Sequence, residues 1–258
     1  MTTVDLSDSP VLLRLVEGLR GALGDELVSV VLYGSAARGD YDASTSDLNI
    51  LIVASDLKPT TLARLSGPIR RWERSGQPMV RLLSPAIIRE SADVFPIEFL
   101  DLQASHRVLH GSDPFATFEV ELSHLRMQCE RELREKMMRL REAYIEAHDA
   151  PPALTRLLTQ SYSTFVALFR GCLRLHGDPV PAHNEEVAAA FARAADIDVA
   201  PFDEIAQLKH GEAPRSDLTE LFARYYDALT AAVARINRFA PPAGDPAAST
   251  QPIGGMEG

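Results

Sequence analysis

The chain has 258 residues, of which 46% are hydrophobic and 24% are charged. That length predicts two domains of ordinary size, and the composition is typical of a soluble globular protein and excludes wholesale disorder or a collagen-like fibre. The formal net charge is -10, from 26 basic and 36 acidic residues. This balance argues against a protein that holds long nucleic acid mainly by its phosphates, because such a protein needs a basic surface.

The apolar segments and the cysteines indicate the cellular compartment of the protein. The longest apolar runs, residues 28–33 and 48–54, are far shorter than the roughly 18 to 20 residues that span a bilayer. We expect no signal peptide, because the first residues lack its charged, apolar and small-residue segments, and Cys129 and Cys172 are too few for a disulfide framework. We therefore expect a cytoplasmic protein without a membrane partner.

Residues 1–112 predict an α/β (α+β) domain with a small mixed sheet, because short β-rich runs alternate with helical stretches. Pro10 stands at the first position of a predicted helix, which Gly24 ends. We predict four strands, at residues 28–33, 47–53, 79–83 and 95–102. A helix at residues 60–75 is predicted to join the second and third strands.

Residues 113–240 predict an all-α helical bundle. Apolar residues recur every three or four positions in its first part, which is the period of an amphipathic helix. The predicted helices cover residues 115–148, 153–176, 184–195, 202–210 and 217–239. Residues 241–258, rich in Pro, Gly, Ala and Ser, predict a disordered tail.

The first run of chemical interest is Gly34-Ser35-Ala36-Ala37-Arg38. A strand that ends in Gly-Ser and turns into a helix brings unpaired backbone N–H groups and the positive helix end to one point, where phosphate oxygens bind. Gly34 allows a phosphate to come close and Ser35 adds a hydroxyl donor. Arg38 either meets the phosphate in a charge-assisted bond or pairs with a nearby surface carboxylate.

The second run is the strand that opens with Asp47 and Asn49. The period of two places these two residues and Leu51 on one face, and Leu48 and Ile50 on the other. Oxygen ligands suit Mg²⁺, which usually takes one or two carboxylates, some waters and the phosphates of its substrate. Asp47 and a bound nucleoside triphosphate would provide that set of ligands.

Together these residues resemble the nucleotidyltransferase superfamily of DNA polymerase beta type, and within it the minimal and aminoglycoside-modifying nucleotidyltransferases. The signature is an apolar strand, Gly-Ser, about ten residues, a strand with paired carboxylates and a third carboxylate on a later strand. The first parts match Gly34, Ser35 and Asp47, and the helical second half is similar to the substrate-binding domain of the antibiotic-modifying members. Glu98 is the best match to the third carboxylate, which in the family acts as the base.

The resemblance implies Mg²⁺-dependent transfer of a nucleotidyl group, AMP from ATP, to a hydroxyl of a small molecule or protein. Gly34, Ser35 and Arg38 would hold the triphosphate. Asp47, Asn49 and Glu98 would surround the metal, with Asp47 and Glu98 as catalytic residues.

Asn49 departs from the family pattern, because it stands where the family has the second carboxylate. The side chain of Asn49 offers one neutral oxygen there, which should weaken the binding of at least one metal ion. Two alternatives therefore stay open: a catalytically impaired nucleotide-binding or regulatory protein of the same fold, and an antitoxin-like protein that acts on a partner.

The acidic charge is concentrated in residues 113–258, which hold 15 basic and 22 acidic side chains. If these carboxylates line the acceptor site, they favour a small cationic acceptor. The competing explanation is that they lie on solvated helix faces.

Overall fold

The computed structural model describes residues 9–38 and 47–239. The chain divides into two compact units, Met1–Gln128 and Cys129–Gly258. The predicted tail at residues 241–258 lies outside the described residues. In the described ranges, no helix is both long enough and apolar enough to cross a membrane.

The first unit is built on a four-stranded mixed sheet, as the sequence predicts. Its strands are β1 Leu27–Tyr33, β2 Asn49–Ala54, β3 Arg81–Leu83 and β4 His106–Gly111. They lie in the order β3-β2-β1-β4, with β1 antiparallel to both β2 and β4, and β3 parallel to β2. Because β1 and β2 are antiparallel, Tyr33 at the end of β1 pairs with Asn49 at the start of β2.

The helices of this unit are α1 Pro10–Leu23, α2 Ser35–Arg38, α3 Pro59–Arg74, α4 Pro85–Glu90 and α5 Pro96–Ala104. As predicted, Pro10 stands in the first turn of α1, and the helix ends at Gly24, whose φ is 56°. The predicted helix between β2 and β3 is also confirmed, as α3. It supplies the long crossover that two parallel strands require.

The two faces of the sheet have separate cores. On one face, the side chains of Ile50 and Ile52 pack with the apolar stripe of α1 and with Leu65 and Trp72 of α3. The indole of Trp72 is 3% exposed and donates from Nε1 to the carbonyl oxygen of Pro78 over 2.8 Å. On the other face, the core contains Val31, Leu51, Val53, Ile88, Phe99, Leu102 and Phe115.

The prediction of a strand at residues 95–102 is wrong, because this segment forms α5. Pro96 stands in the first turn, where its fixed φ suits a helix and its missing N–H costs no hydrogen bond. The side chain of Gln128 accepts a hydrogen bond from the backbone N–H of Ile97 over 2.8 Å and so satisfies one of the free donors at this helix start. The fourth strand of the sheet follows α5, as β4.

The second unit is helical, as predicted. Its helices are α6 Leu122–Ala147, which begins in the first unit, α7 Pro151–His176, α8 Asn184–Ala195, α9 Ala200–Lys209 and α10 Leu218–Arg238. The first of them begins at Leu122 and not near the predicted residue 115. Phe115 instead lies in a turn, where its N–H donates to the carboxylate of Asp113 over 2.8 Å.

A buried carboxylate connects α9 with α10. Glu204 is 6% exposed and accepts hydrogen bonds from Arg224 at 2.6 Å and from the backbone N–H of Ser216 at 2.9 Å. Burial opposes ionisation of this carboxyl, but the hydrogen bonds from Arg224 and Ser216 outweigh it and lower the pKa of Glu204 from the ordinary value of 4.5.

Candidate functional site

The turn after β1 has the strand-to-helix form that the sequence predicts. Gly34 follows Tyr33 directly, and α2 begins at the next residue. The φ of Gly34 is 79°, and a Cβ on it would lie 3.3 Å from Nδ2 of Asn49. The backbone conformation therefore favours glycine here, and the close approach of the amide adds to that preference.

The backbone N–H of Gly34 is already used. It donates to the carbonyl oxygen of Ser105 over 3.1 Å and so connects the turn to the segment that leads into β4. The expectation of unpaired N–H groups at this turn therefore fails for Gly34 itself. The side chains of Ser35 and Arg38 lie outside the described part of the chain, so their phosphate contacts stay predictions.

Asp47 and Asn49 lie at the edge of the sheet beside this turn. Asp47 is exposed two residues before Asn49, and Leu48 between them is buried. Leu48 and Ile50 join the core beneath α1 and α3, whereas Leu51 joins the opposite core. The predicted alternation of β2 is therefore confirmed, and Asn49 shares the face of Leu51. That Asp47 binds a metal stays a prediction.

Glu98 does not lie on a strand. It is exposed in the first turn of α5, where its carboxylate accepts a hydrogen bond from Nε2 of Gln128 over 2.8 Å. The two strands after β2 carry no carboxylate, because β3 reads Arg-Leu-Leu and β4 reads His-Arg-Val-Leu-His-Gly. The third carboxylate that the resemblance implies therefore has no place on these strands, and the role of Glu98 as base stays a prediction.

Sequence reasoning missed Arg81 and Tyr33, which lie on this same face of the sheet. The register pairs Arg81 with Leu51, and Tyr33 with Asn49. The guanidinium carbon of Arg81 lies 5.8 Å from the centroid of the Tyr33 ring. An arginine in the middle of the apolar run at residues 79–83 was the available signal, but only the register shows which face it occupies.

The described residues do not fit a site for two metal ions. Across residues 9–38 and 47–239, no three His, Cys, Asp or Glu side chains are grouped so that they could hold one metal. At the start of β2 they provide one carboxylate, Asp47, and one neutral amide, Asn49. A single Mg²⁺ that a triphosphate already chelates needs no more than one or two carboxylates, and Asp47 meets that lower requirement.

The comparisons support the fold. No protein-family model matches the chain, and no curated protein does. Among solved structures, the chain is similar to the spectinomycin adenyltransferase AAD(9) from Enterococcus faecialis, solved with ATP and spectinomycin. The sequence identity is 13% and the TM-score is 0.50, with 88% of this chain and 98% of that chain covered. The chain therefore has the architecture of a nucleotidyltransferase fold followed by a helical region.

Proposed function

We propose that this protein is a nucleotidyltransferase that moves AMP from ATP to a hydroxyl group of a small molecule. The observation that carries the proposal is the position of Gly34. Its turn lies against the amide of Asn49, two residues after Asp47, so a phosphate-binding turn and a metal-binding carboxylate would adjoin at one edge of the sheet. The extent of the match also supports it, because 98% of the adenyltransferase chain is covered.

Each predicted residue has a role in this proposal. Gly34, Ser35 and Arg38 hold the triphosphate, and Asp47 binds a Mg²⁺ ion that the triphosphate chelates, with help from Asn49. The ion would supply stabilisation of charge on the phosphate oxygens. Glu98 is the candidate base, which the chemistry needs because a hydroxyl is a weak nucleophile at neutral pH.

The acceptor proposed here is small and cationic. Residues 113–258 hold 15 basic and 22 acidic side chains, and a negative surface raises the local concentration of cations. The neighbour named above was solved with spectinomycin, so aminocyclitols and aminoglycosides are the first acceptors to test.

A cytoplasmic location suits this use of ATP. Cys129 and Cys172 are both buried and carry free thiols, as expected of a protein kept in a reducing compartment.

The test measures Mg²⁺-dependent pyrophosphate release from ATP in the presence of a panel of hydroxyl acceptors. We expect wild-type protein to release pyrophosphate with at least one cationic acceptor, and Asp47→Asn to abolish the release. Asp25→Asn is the matched control, since Asp25 is exposed in the turn before β1, at the other end of that strand. Equal activity of Asp47→Asn and wild type would refute the proposed role of Asp47.

A second candidate function is nucleotide binding without transfer, and Asn49 is the observation that favours it. A neutral amide cannot bridge two metal ions as a carboxylate does. This candidate predicts that wild-type protein binds ATP but releases no pyrophosphate, whereas Asn49→Asp gains release. Release by the wild type would exclude it.

A further inference from the structure

The charge of the candidate site differs from what a site for two metals needs. Asn49 contributes no charge, and the later strands β3 and β4 contribute no carboxylate. The same face of the sheet instead carries the guanidinium of Arg81. A fixed positive charge repels metal cations and attracts phosphate.

The position of that guanidinium follows from the register. Tyr33 and Arg81 belong to β1 and β3, which flank β2, so two strand spacings of about 4.8 Å each separate their strands. The side chains of Arg81 and Tyr33 therefore meet over β2, where the guanidinium carbon lies 5.8 Å from the Tyr33 ring centroid. Because Tyr33 pairs with Asn49 and Arg81 pairs with Leu51, the guanidinium and the ring meet over the first residues of β2, at the end of the sheet that carries the Gly34 turn.

The surroundings of Arg81 leave its charge available. The side chain is exposed, and none of the described acidic residues forms an ion pair with it. The Tyr33 ring holds one side of the guanidinium by a cation–π contact, and no residue within 9–38 and 47–239 is seen to accept a hydrogen bond from it, so its N–H donors can bind an anion. A guanidinium binds phosphate oxygens through two parallel hydrogen bonds.

We infer that Arg81 binds the triphosphate of the nucleotide directly, so that the protein still holds ATP when no Mg²⁺ ion is bound. The guanidinium offsets phosphate charge that a second metal ion would otherwise neutralise. Tyr33 acts as a positioning residue, because its ring holds the guanidinium over the first residues of β2. This inference rests on the proposed nucleotide site and specifies how that site holds its anion.

The test measures the dissociation constant of ATP by calorimetry, once with Mg²⁺ and once with excess EDTA. We expect wild type to bind ATP in EDTA within about fivefold of its affinity with Mg²⁺, and Arg81→Ala to lose at least about tenfold in EDTA, the equivalent of one charge-assisted hydrogen bond. Inorganic tripolyphosphate should displace ATP from wild type in EDTA, because Arg81 recognises phosphate and not the base.

Two variants separate a specific contact from a general effect. Arg70→Ala removes the same charge from an exposed position on α3, which packs on the opposite face of the sheet, and it should bind ATP as wild type does. Arg81→Lys keeps the charge but lacks the planar fork, so it should recover part of the affinity. Thermal unfolding midpoints equal to that of wild type would show that the Arg81 variants are folded.

The outcomes distinguish this inference from the proposed function. If wild type binds ATP only with Mg²⁺, or if Arg81→Ala binds ATP in EDTA as tightly as wild type, the inference is wrong and the proposed function stands. If wild type binds ATP under neither condition, both are wrong.

Discussion

At the scale of single residues, the turn after β1 depends on the absence of a side chain at position 34. The φ of 79° and the 3.3 Å approach of Asn49 both act against any L side chain. An alanine would have to enter the left-handed region and displace the amide.

Gly34→Ala should therefore lower the free energy of unfolding of the first unit by about 1–2 kcal/mol, the cost of a left-handed L residue, and should weaken ATP binding as the amide moves. Urea unfolding and calorimetry measure the two effects. Gly21→Ala is the control, because Gly21 lies within α1 with nothing within 4 Å of its would-be Cβ. That control should stabilise the protein by about 0.5–1 kcal/mol, and a stable Gly34→Ala variant would contradict the prediction.

Asn49→Asp tests whether a neutral side chain at position 49 is needed for Arg81 to bind phosphate. The new carboxylate would lie on the same sheet face as the guanidinium of Arg81 and compete with phosphate for it. We expect ATP binding in EDTA to weaken roughly tenfold, about one charge-assisted hydrogen bond, and Mg²⁺ to restore it.

The control for this substitution is Asn49→Leu, which removes the amide without adding charge and should retain most of the binding in EDTA. Unchanged binding by Asn49→Asp in EDTA would mean that position 49 does not face the bound phosphates. Both measurements use the calorimetry described for Arg81.

At the scale of elements, one side chain of α6 caps the start of α5. Gln128 is 5% exposed and accepts from the N–H of Ile97 while it donates to Glu98. Its amide therefore satisfies a donor at the start of α5 and sets the orientation of the candidate base.

Gln128→Leu should cost about 1–3 kcal/mol, because it leaves the buried N–H of Ile97 without an acceptor. Hydrogen exchange should show faster exchange at the Ile97 amide, with little change in α7. Gln160→Leu is the control, since Gln160 is exposed on α7 and surface changes stay within about 0.5 kcal/mol. Wild-type protection at Ile97 in the Gln128 variant would contradict this account.

Some elements were predicted correctly and others were not, and the difference depends on whether the signal for the element lies within its own residues. Pro10 and Gly24 mark the two ends of α1, and the apolar runs mark β1 and β2. These elements were predictable because their signals lie within a few residues of one another. The segment at 95–102 was wrongly predicted as a strand, because the apolar residues Ile97 and Phe99 alternate with polar ones as in a strand. Pro96 instead starts a helix. The last strand, β4, carries three charged or imidazole side chains and is defined by its pairing with β1.

The sequence predicted only those parts of the candidate site that are formed by residues close together in the chain. The Gly34 turn and the alternation of β2 follow from neighbouring residues. The position of Arg81 depends on the parallel register with β2, and that register is a tertiary property that the spacing of residues does not reveal.

At the scale of the whole molecule, the second unit contains a buried carboxylate whose ionised form its hydrogen bonds stabilise. Glu204 has a lowered pKa despite its burial, because Arg224 and Ser216 donate to it. The folded state therefore binds this proton less readily than the unfolded state, and the stabilisation is present above the unfolded pKa and lost as pH falls below about 4.5.

We expect the urea midpoint of wild type, followed by circular dichroism, to fall between pH 6 and pH 3.5 more than that of Glu204→Gln. The variant should already be less stable at pH 6, because it retains Arg224 without its charged partner. Glu142→Gln, at an exposed position on α6, should follow the wild-type profile. Identical pH profiles for wild type and Glu204→Gln would refute the linkage.

The buried indole of Trp72 gives the molecule a built-in optical reporter. It is the single tryptophan of the chain, and it lies in the first unit on the sheet face opposite Asn49 and Arg81. Its fluorescence therefore follows the unfolding of the first unit alone, whereas far-ultraviolet ellipticity also includes the helices of the second. The two signals, recorded on one unlabelled sample, would reveal whether the two units melt together or in sequence.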